Sequence, residues 1–152
     1  MLRTVAFDAD DTLWQNEHYY KLSQQRFAEL LADRASPDQV AHRLLEAEKR
    51  NIGRYGFGIK GFTLSMIETA LELSGGNVDA ATIKSILELG HSQLSHPVDL
   101  LPHALETIVM LEGRYSLLLI TKGDLYDQER KIAESGLGNY FDAIEVVSEK
   151  TA

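Results

Sequence analysis

Asp8 and Asp10 stand two residues apart in the stretch Phe7-Asp8-Ala9-Asp10-Asp11-Thr12-Leu13. Two carboxylates in one tight loop suit phosphoryl transfer. One can attack phosphorus and form an acyl phosphate, which divides a difficult displacement into two easier ones. The other can protonate the leaving oxygen and later activate water. Close carboxylates also repel, and Asp11 and Asp124 deepen the negative potential. A hard divalent cation with oxygen ligands, such as Mg²⁺, offsets that charge and neutralises the phosphate as the nucleophile approaches. Thr121 and loop N–H groups can hold phosphate oxygens, and Lys150 can neutralise the group in flight. An isolated Asp-x-Asp is as often a solvated turn after a strand. Its company carries the functional reading: Phe7 before it, Thr12-Leu13 after it, Thr121 and Lys150 at other strand ends.

Those groups must be positioned by particular elements. Arg3 to Phe7 is short, apolar and β-rich, and reads as a buried strand. Tyr115 to Ile120 is a second buried strand and Ala143 to Val147 a third. Asp8 and Asp10, Thr121 and Lys150 follow these three strands in turn. In a parallel sheet such loops share one edge, where open α/β folds bind ligands. Helical periodicity fills the rest. It runs from about Glu17 to Arg34, then from Ser36-Pro37-Asp38-Gln39, a capping box with proline at the first position, to about Arg50. It resumes with Leu64, Ile67 and Leu71, and again after a cap at Asp79. Pro102 opens a helix ending near Gly113, and Asp124 to Ser135 forms another, closed by Gly136. The helices from Glu17 to Leu94 are too many for one crossover and read as an inserted cap.

Composition narrows the class. The chain of 152 residues is 44% hydrophobic, as expected of a folded domain. A formal net charge of -8 disfavours nucleic acid and anionic membranes. The absence of cysteine excludes disulfides, thiolate catalysis and cysteine-based zinc sites. The apolar run Leu117 to Ile120 is far too short to cross a bilayer. With no signal-peptide pattern at the start, a soluble cytoplasmic protein is the expectation.

The loop Phe7-Asp8-Ala9-Asp10-Asp11-Thr12-Leu13 resembles the first motif of the haloacid dehalogenase (HAD) superfamily, in its phosphatase branch. Leu118-Leu119-Ile120-Thr121-Lys122-Gly123-Asp124 looks like the second motif, and Val146-Val147-Ser148-Glu149-Lys150 like the third. The resemblance implies a Rossmann-like, doubly wound parallel sheet formed by residues 1–14 and 96–152, with a C1-type helical cap at 15–95. It implies Asp8 as nucleophile and Asp10 as acid/base. It implies phosphate binding by Thr121, Lys122 and Lys150, and Mg²⁺ held by the Asp8 carboxylate and the Asp10 backbone carbonyl. The substrate class is a small phosphorylated metabolite. Dehalogenases of the family lack an acid at the position of Asp10, because halide leaves without a proton. Asp10 therefore points to a phosphatase or phosphomutase.

One departure stands out. The family's fourth motif, a strand bearing the acid that completes the metal site, has no counterpart before Ala152, and Asp142 precedes its strand at the wrong edge. The core is expected to be incomplete at the C-terminus, with activity weak or absent in this chain and an open sheet edge that self-association could cover. A non-catalytic remnant used for binding or assembly is the alternative.

Weaker signals read as structure. Gly56-Phe57-Gly58-Ile59-Lys60-Gly61 matches a dinucleotide fingerprint in letters, but a helical segment precedes it where a strand is required, so it reads as a turn between cap helices. Asp124 reads as a helix N-cap before it reads as a metal ligand. Asp11 shapes the loop. Trp14 reads as a packing aromatic, and the five histidines are too scattered to form a metal site.

Overall fold

A computed structural model describes residues 2–150, so residues 1, 151 and 152 of the expected core lie outside the described residues. The elements follow in the expected order: β1 (Thr4–Phe7), α1 (Glu17–Leu30), α2 (Pro37–Tyr55), α3 (Ile59–Leu73), α4 (Ala80–Ser95), α5 (Ala104–Leu111), β2 (Ser116–Lys122), α6 (Leu125–Ser135), a single 3-10 turn at Gly138–Tyr140, and β3 (Ala143–Val147). The three strands form one parallel sheet in the order β1-β2-β3. This is the α/β class read from the sequence, with helices joining parallel strands.

The chain divides into two compact units. One combines the chain up to His18 with the chain from Pro97 onward, and the other is Tyr19–His96. The seams lie a few residues from residues 14/15 and 95/96. Backbone bonding accounts for the first shift. Trp14 is fully buried in the sheet unit, and the Gln15 N–H bonds the Asp99 carbonyl at 2.9 Å, tying this stretch to the segment before α5. At the other seam, the ring of His96 stacks on Tyr19 inside the helical unit.

The sheet unit packs Leu13, Trp14, Ile108, Leu117, Leu119 and Phe141 into its core. Central β2 alternates, with Leu117, Leu119 and Thr121 buried and its other residues half-buried. Strand β1 is less buried than its composition predicts. It alternates exposed and half-buried residues, since among described residues it pairs with β2 alone.

The helical unit has its own core, including Phe27, Leu44, Phe62, Met66 and Ile86. Its helices begin where the side chains predict. Ser36 and Gln39 form the reciprocal capping box of α2, and Asp79 accepts the Thr82 N–H at 2.7 Å to start α4. The glycine-rich segment is a turn, and it is shorter than Gly56–Gly61 because α2 overruns its expected end near Arg50 and α3 begins at Ile59. Helix α2 runs on through Gly53 to Tyr55, and only residues 56–58 are non-helical. Gly56 (φ 73°) and Gly58 (φ 128°) take backbone angles that side chains disfavour, which reverses the chain in three residues.

Candidate active site

Strand β1 ends at Phe7, and the aspartate loop folds back on itself at once. The buried Ala9 turns its carbonyl toward the Thr12 and Leu13 N–H groups, at 3.1 and 2.8 Å, and the Asp11 N–H reaches the Trp14 carbonyl at 2.8 Å. Asp11 sits in the left-handed region (φ 57°), which aspartate tolerates better than most residues. Its Oδ1 accepts the N–H groups of Asn16 and Glu17, both at 2.9 Å. These N–H groups stand at the start of α1, where helix geometry provides no intrahelical carbonyl, so Asp11 both closes the loop and caps the next helix.

Asp8 lies directly beyond the strand with its side chain half exposed. Its Oδ1 accepts the Ala9 N–H at 2.8 Å and faces the Lys150 ammonium at 2.7 Å. Lys150 follows β3, so the first and third strand ends meet at this carboxylate.

Asp10 turns the other way, into a polar cluster on α6. Its Oδ1 accepts the indole N–H of Trp14 at 2.9 Å and the Lys131 ammonium at 2.7 Å, and its Oδ2 accepts the Gln128 amide at 3.0 Å. The same Gln128 amide nitrogen donates to the Thr121 hydroxyl at 2.9 Å and the Lys122 carbonyl at 2.6 Å. Lys131 is nearly inaccessible. Its charge is met by Asp10 and by Asp127 Oδ2 at 3.5 Å, with Asn16 Oδ1 at 3.4 Å. Burial of this ammonium is tolerable because carboxylates surround it. Arg130 in turn bridges Asp127 and Glu134, each at 3.0 Å.

The strand ends bring together Asp8 with Lys150, and Gln128 of α6 links Asp10 with Thr121. Thr121 and Lys122 belong to the last two positions of β2, which outlasts its expected end at Ile120. Thr121 is buried on the same strand face as Leu117 and Leu119, and the Lys122 backbone carbonyl shares Gln128 with it. Asp142 lies at the opposite edge, where its carboxylate accepts the Ser116 hydroxyl at 2.6 Å and the Leu117 N–H at 3.1 Å. Asp124 occupies the N-cap position of α6 in extended conformation, but its side chain makes no capping bond to the helix, contrary to the expectation.

Trp14, Gln128 and Lys131 were not read as site residues from the sequence. A signal for two of them exists. The inward face of α6 is Asp127, Gln128, Lys131 and Ile132, so polar residues recur at i, i+1 and i+4 where an amphipathic helix would bury apolar ones.

The donor set bears on the metal. Trp14, Lys131 and Gln128 engage both carboxylate oxygens of Asp10, which leaves its backbone carbonyl as its contribution to a cation. Asp8 supplies a half-exposed carboxylate beside it. Among the described residues no group of three or more His, Cys, Asp or Glu side chains gathers as a metal site. Oxygen donors few in number suit Mg²⁺, which keeps several waters and binds through one or two carboxylates plus substrate phosphate. The residues present fit that ion.

A parallel sheet whose carboxyl edge carries an aspartate loop, a buried threonine and a lysine places this chain in the α/β class with its polar groups gathered at one edge. A family profile described as haloacid dehalogenase-like hydrolase matches residues 2–152, and the chain belongs to that family. It is similar to a haloacid dehalogenase-like family hydrolase of Xanthomonas campestris, with 44% identity and a TM-score of 0.92 over 98% of this chain and 63% of that one. Its fold is shared with the HAD-hydrolase YfnB of Bacillus subtilis bound to magnesium, at 20% identity and a TM-score of 0.59 over 95% of this chain and 63% of that one. The L-2-haloacid dehalogenase of Xanthobacter autotrophicus shares it too, at 18% identity and a TM-score of 0.60 over 97% of this chain and 57% of that one. The chain thus spans less than two thirds of the length of these proteins. None of the curated proteins matches it. No helix among the described residues is long and apolar enough to cross a membrane.

Proposed function

We propose that the chain carries the catalytic loop of a Mg²⁺-dependent phosphatase acting on a small phosphorylated metabolite. The observation that supports it best is the division of labour between two aspartates on one loop. Asp8 lies half exposed against Lys150, while Asp10, two residues on, is held by donors from α6 and Trp14. An Asp8 carboxylate oxygen attacks phosphorus, and the P–O bond to the leaving group breaks. The departing oxygen takes a proton from Asp10. Asp10 then accepts a proton from water as its oxygen attacks the acyl phosphate, which frees inorganic phosphate and restores Asp8. Lys150 and the hydroxyl of Thr121 stabilise charge on the phosphoryl oxygens, with Lys122 at the rim. The Asp8 carboxylate and the Asp10 carbonyl would hold Mg²⁺, which would supply charge neutralisation there.

A dehalogenase reading is less well supported, because a halide leaving group has no use for the acid at Asp10. A phosphomutase would use the same first step and pass the phosphoryl group to a sugar instead of water.

Purified protein assayed on p-nitrophenyl phosphate and a panel of metabolite phosphates tests the proposal. Phosphate release should require Mg²⁺, stop with chelator, and fall by at least about 100-fold in Asp8→Asn. Release that persists in Asp8→Asn, or none with Mg²⁺ present, overturns it. Chloride release from 2-chloropropionate without phosphatase activity would establish the dehalogenase instead.

A further inference from the structure

We infer that Gln128 and Lys131, on α6, are positioning residues that fix the carboxylate of Asp10 for proton transfer to the leaving oxygen. The inference rests on the phosphatase reading and extends it to two residues of α6 that reach the Asp10 carboxylate. An aspartate on a partly exposed loop ordinarily samples several side-chain rotamers. Here donors reach it from two directions. Lys131 Nζ and Trp14 Nε1 meet Oδ1 at 2.7 and 2.9 Å, and Gln128 Nε2 meets Oδ2 at 3.0 Å.

Gln128 does more than hold one oxygen. Its nitrogen also meets the Thr121 hydroxyl and the Lys122 carbonyl, so one amide ties the acid to the end of β2. The orientation of that amide is forced. A reversed amide would set its oxygen against a carboxylate and a carbonyl, both of which only accept. The arrangement is kept although the Gln128 Oε1 is buried without a partner. Gly123 makes room for it. A Cβ there would lie 3.0 Å from Gln128 Nε2 and 3.3 Å from its Cγ and Cδ, and the glycine φ of 138° disfavours any side chain. Lys131 is 2% exposed, and its ammonium has only oxygen neighbours among the bonds described. A helix that needed only to pack on the loop would bury apolar residues at these positions.

Proton donation matters most when the leaving group is a poor one. Misplacing the acid should therefore harm alkyl phosphates far more than p-nitrophenyl phosphate, whose leaving group departs readily without a proton. A merely structural role for α6 would harm both alike. Lys131→Met and Gln128→Leu keep side-chain length or volume. Each should lower kcat on an alkyl phosphate by about 100-fold, and on p-nitrophenyl phosphate by less than about 10-fold, with KM changed by less than about threefold. The single tryptophan gives a readout independent of turnover. In the wild type its indole N–H should resonate downfield and exchange slowly with solvent, and Lys131→Met, Gln128→Leu and Asp10→Asn should each shift that resonance. An indole signal that ignores Asp10→Asn and Lys131→Met overturns the inference, as does an equal loss on both ester classes. A wild type that hydrolyses neither ester defeats the phosphatase reading itself, a result distinct from either.

Discussion

Asp10 and Asp11 are adjacent, identical in chemistry, and differently used. Asp10 turns inward to three donors, whereas Asp11 turns outward to cap α1 and holds a left-handed backbone angle. Alanine at position 11 would lose both capping bonds, costing about 1 kcal/mol, and would lack the polar side chain that lets aspartate tolerate the left-handed region, at up to about 1 kcal/mol more. Asp11→Ala should therefore be less stable by up to about 2 kcal/mol in urea unfolding. Asp11→Asn, which keeps an accepting oxygen and tolerates that angle, should lose less than half as much. Equal losses in the two variants would show that neither cap nor backbone angle sets the effect. At this scale the sequence was most legible where chemistry restricts residue choice. Asp8, Asp10, Thr121 and Lys150 stand out because their types and strand-end positions have few other uses together. Gln128 and Lys131 did not stand out, because polar residues on a helix ordinarily mark the solvated face. Their meaning depends on which side of α6 faces the loop, and that is decided by packing.

Among the elements, boundaries written in side-chain chemistry were readable and boundaries set by neighbours were not. Ser36, Pro37 and Gln39 start α2, and Asp79 starts α4, as their capping chemistry predicts. Helix α2 runs beyond its expected end near Arg50 because Gly53 disfavours helix only weakly against the bonded turns that precede it. Likewise β2 extends to Lys122 because β3 pairs with it there, Thr121 opposite Val146 and Lys122 opposite Val147. Helix α2 also holds a titrating group. Glu48 is half-buried, and burial pushes its carboxyl above the ordinary carboxylate range, although the Tyr20 hydroxyl donates to it and works the other way. The folded state therefore binds this proton more tightly than the unfolded state. Its contribution to stability is full below the ordinary carboxylate pKa and declines as pH rises through the raised value. Glu48→Gln removes that decline while keeping an oxygen for Tyr20. Relative to wild type, the glutamine variant should gain stability in denaturant titrations as pH rises above the ordinary carboxylate range. A stability difference that stays constant or reverses over that rise would show that burial of Glu48 does not govern its titration.

For the molecule as a whole, the central fact is that its apolar residues form two cores, one for each compact unit. With a formal charge of -8, and with ion pairs that are mostly exposed and so worth little each, the chain draws most of its stability from these cores. The candidate site belongs wholly to the sheet unit: Asp8, Asp10, Thr121, Gln128, Lys131 and Lys150 all lie outside Tyr19–His96. Leu119 and Leu44 are each 1% exposed and sit in the sheet and helical cores respectively. Truncating either to alanine should cost about 2–5 kcal/mol locally, through lost transfer energy and the cavity left behind. Because the two leucines share no core, the damage should be separable by native-state hydrogen exchange. Leu44→Ala should speed exchange of amides in α2 and α3 while those of β2 stay protected, and Asp8 chemistry should keep its rate at low temperature. Leu119→Ala should speed exchange in β2 and reduce turnover at Asp8, since that strand ends in Thr121. Uniform acceleration across both units in either variant would mean that the two cores do not open independently.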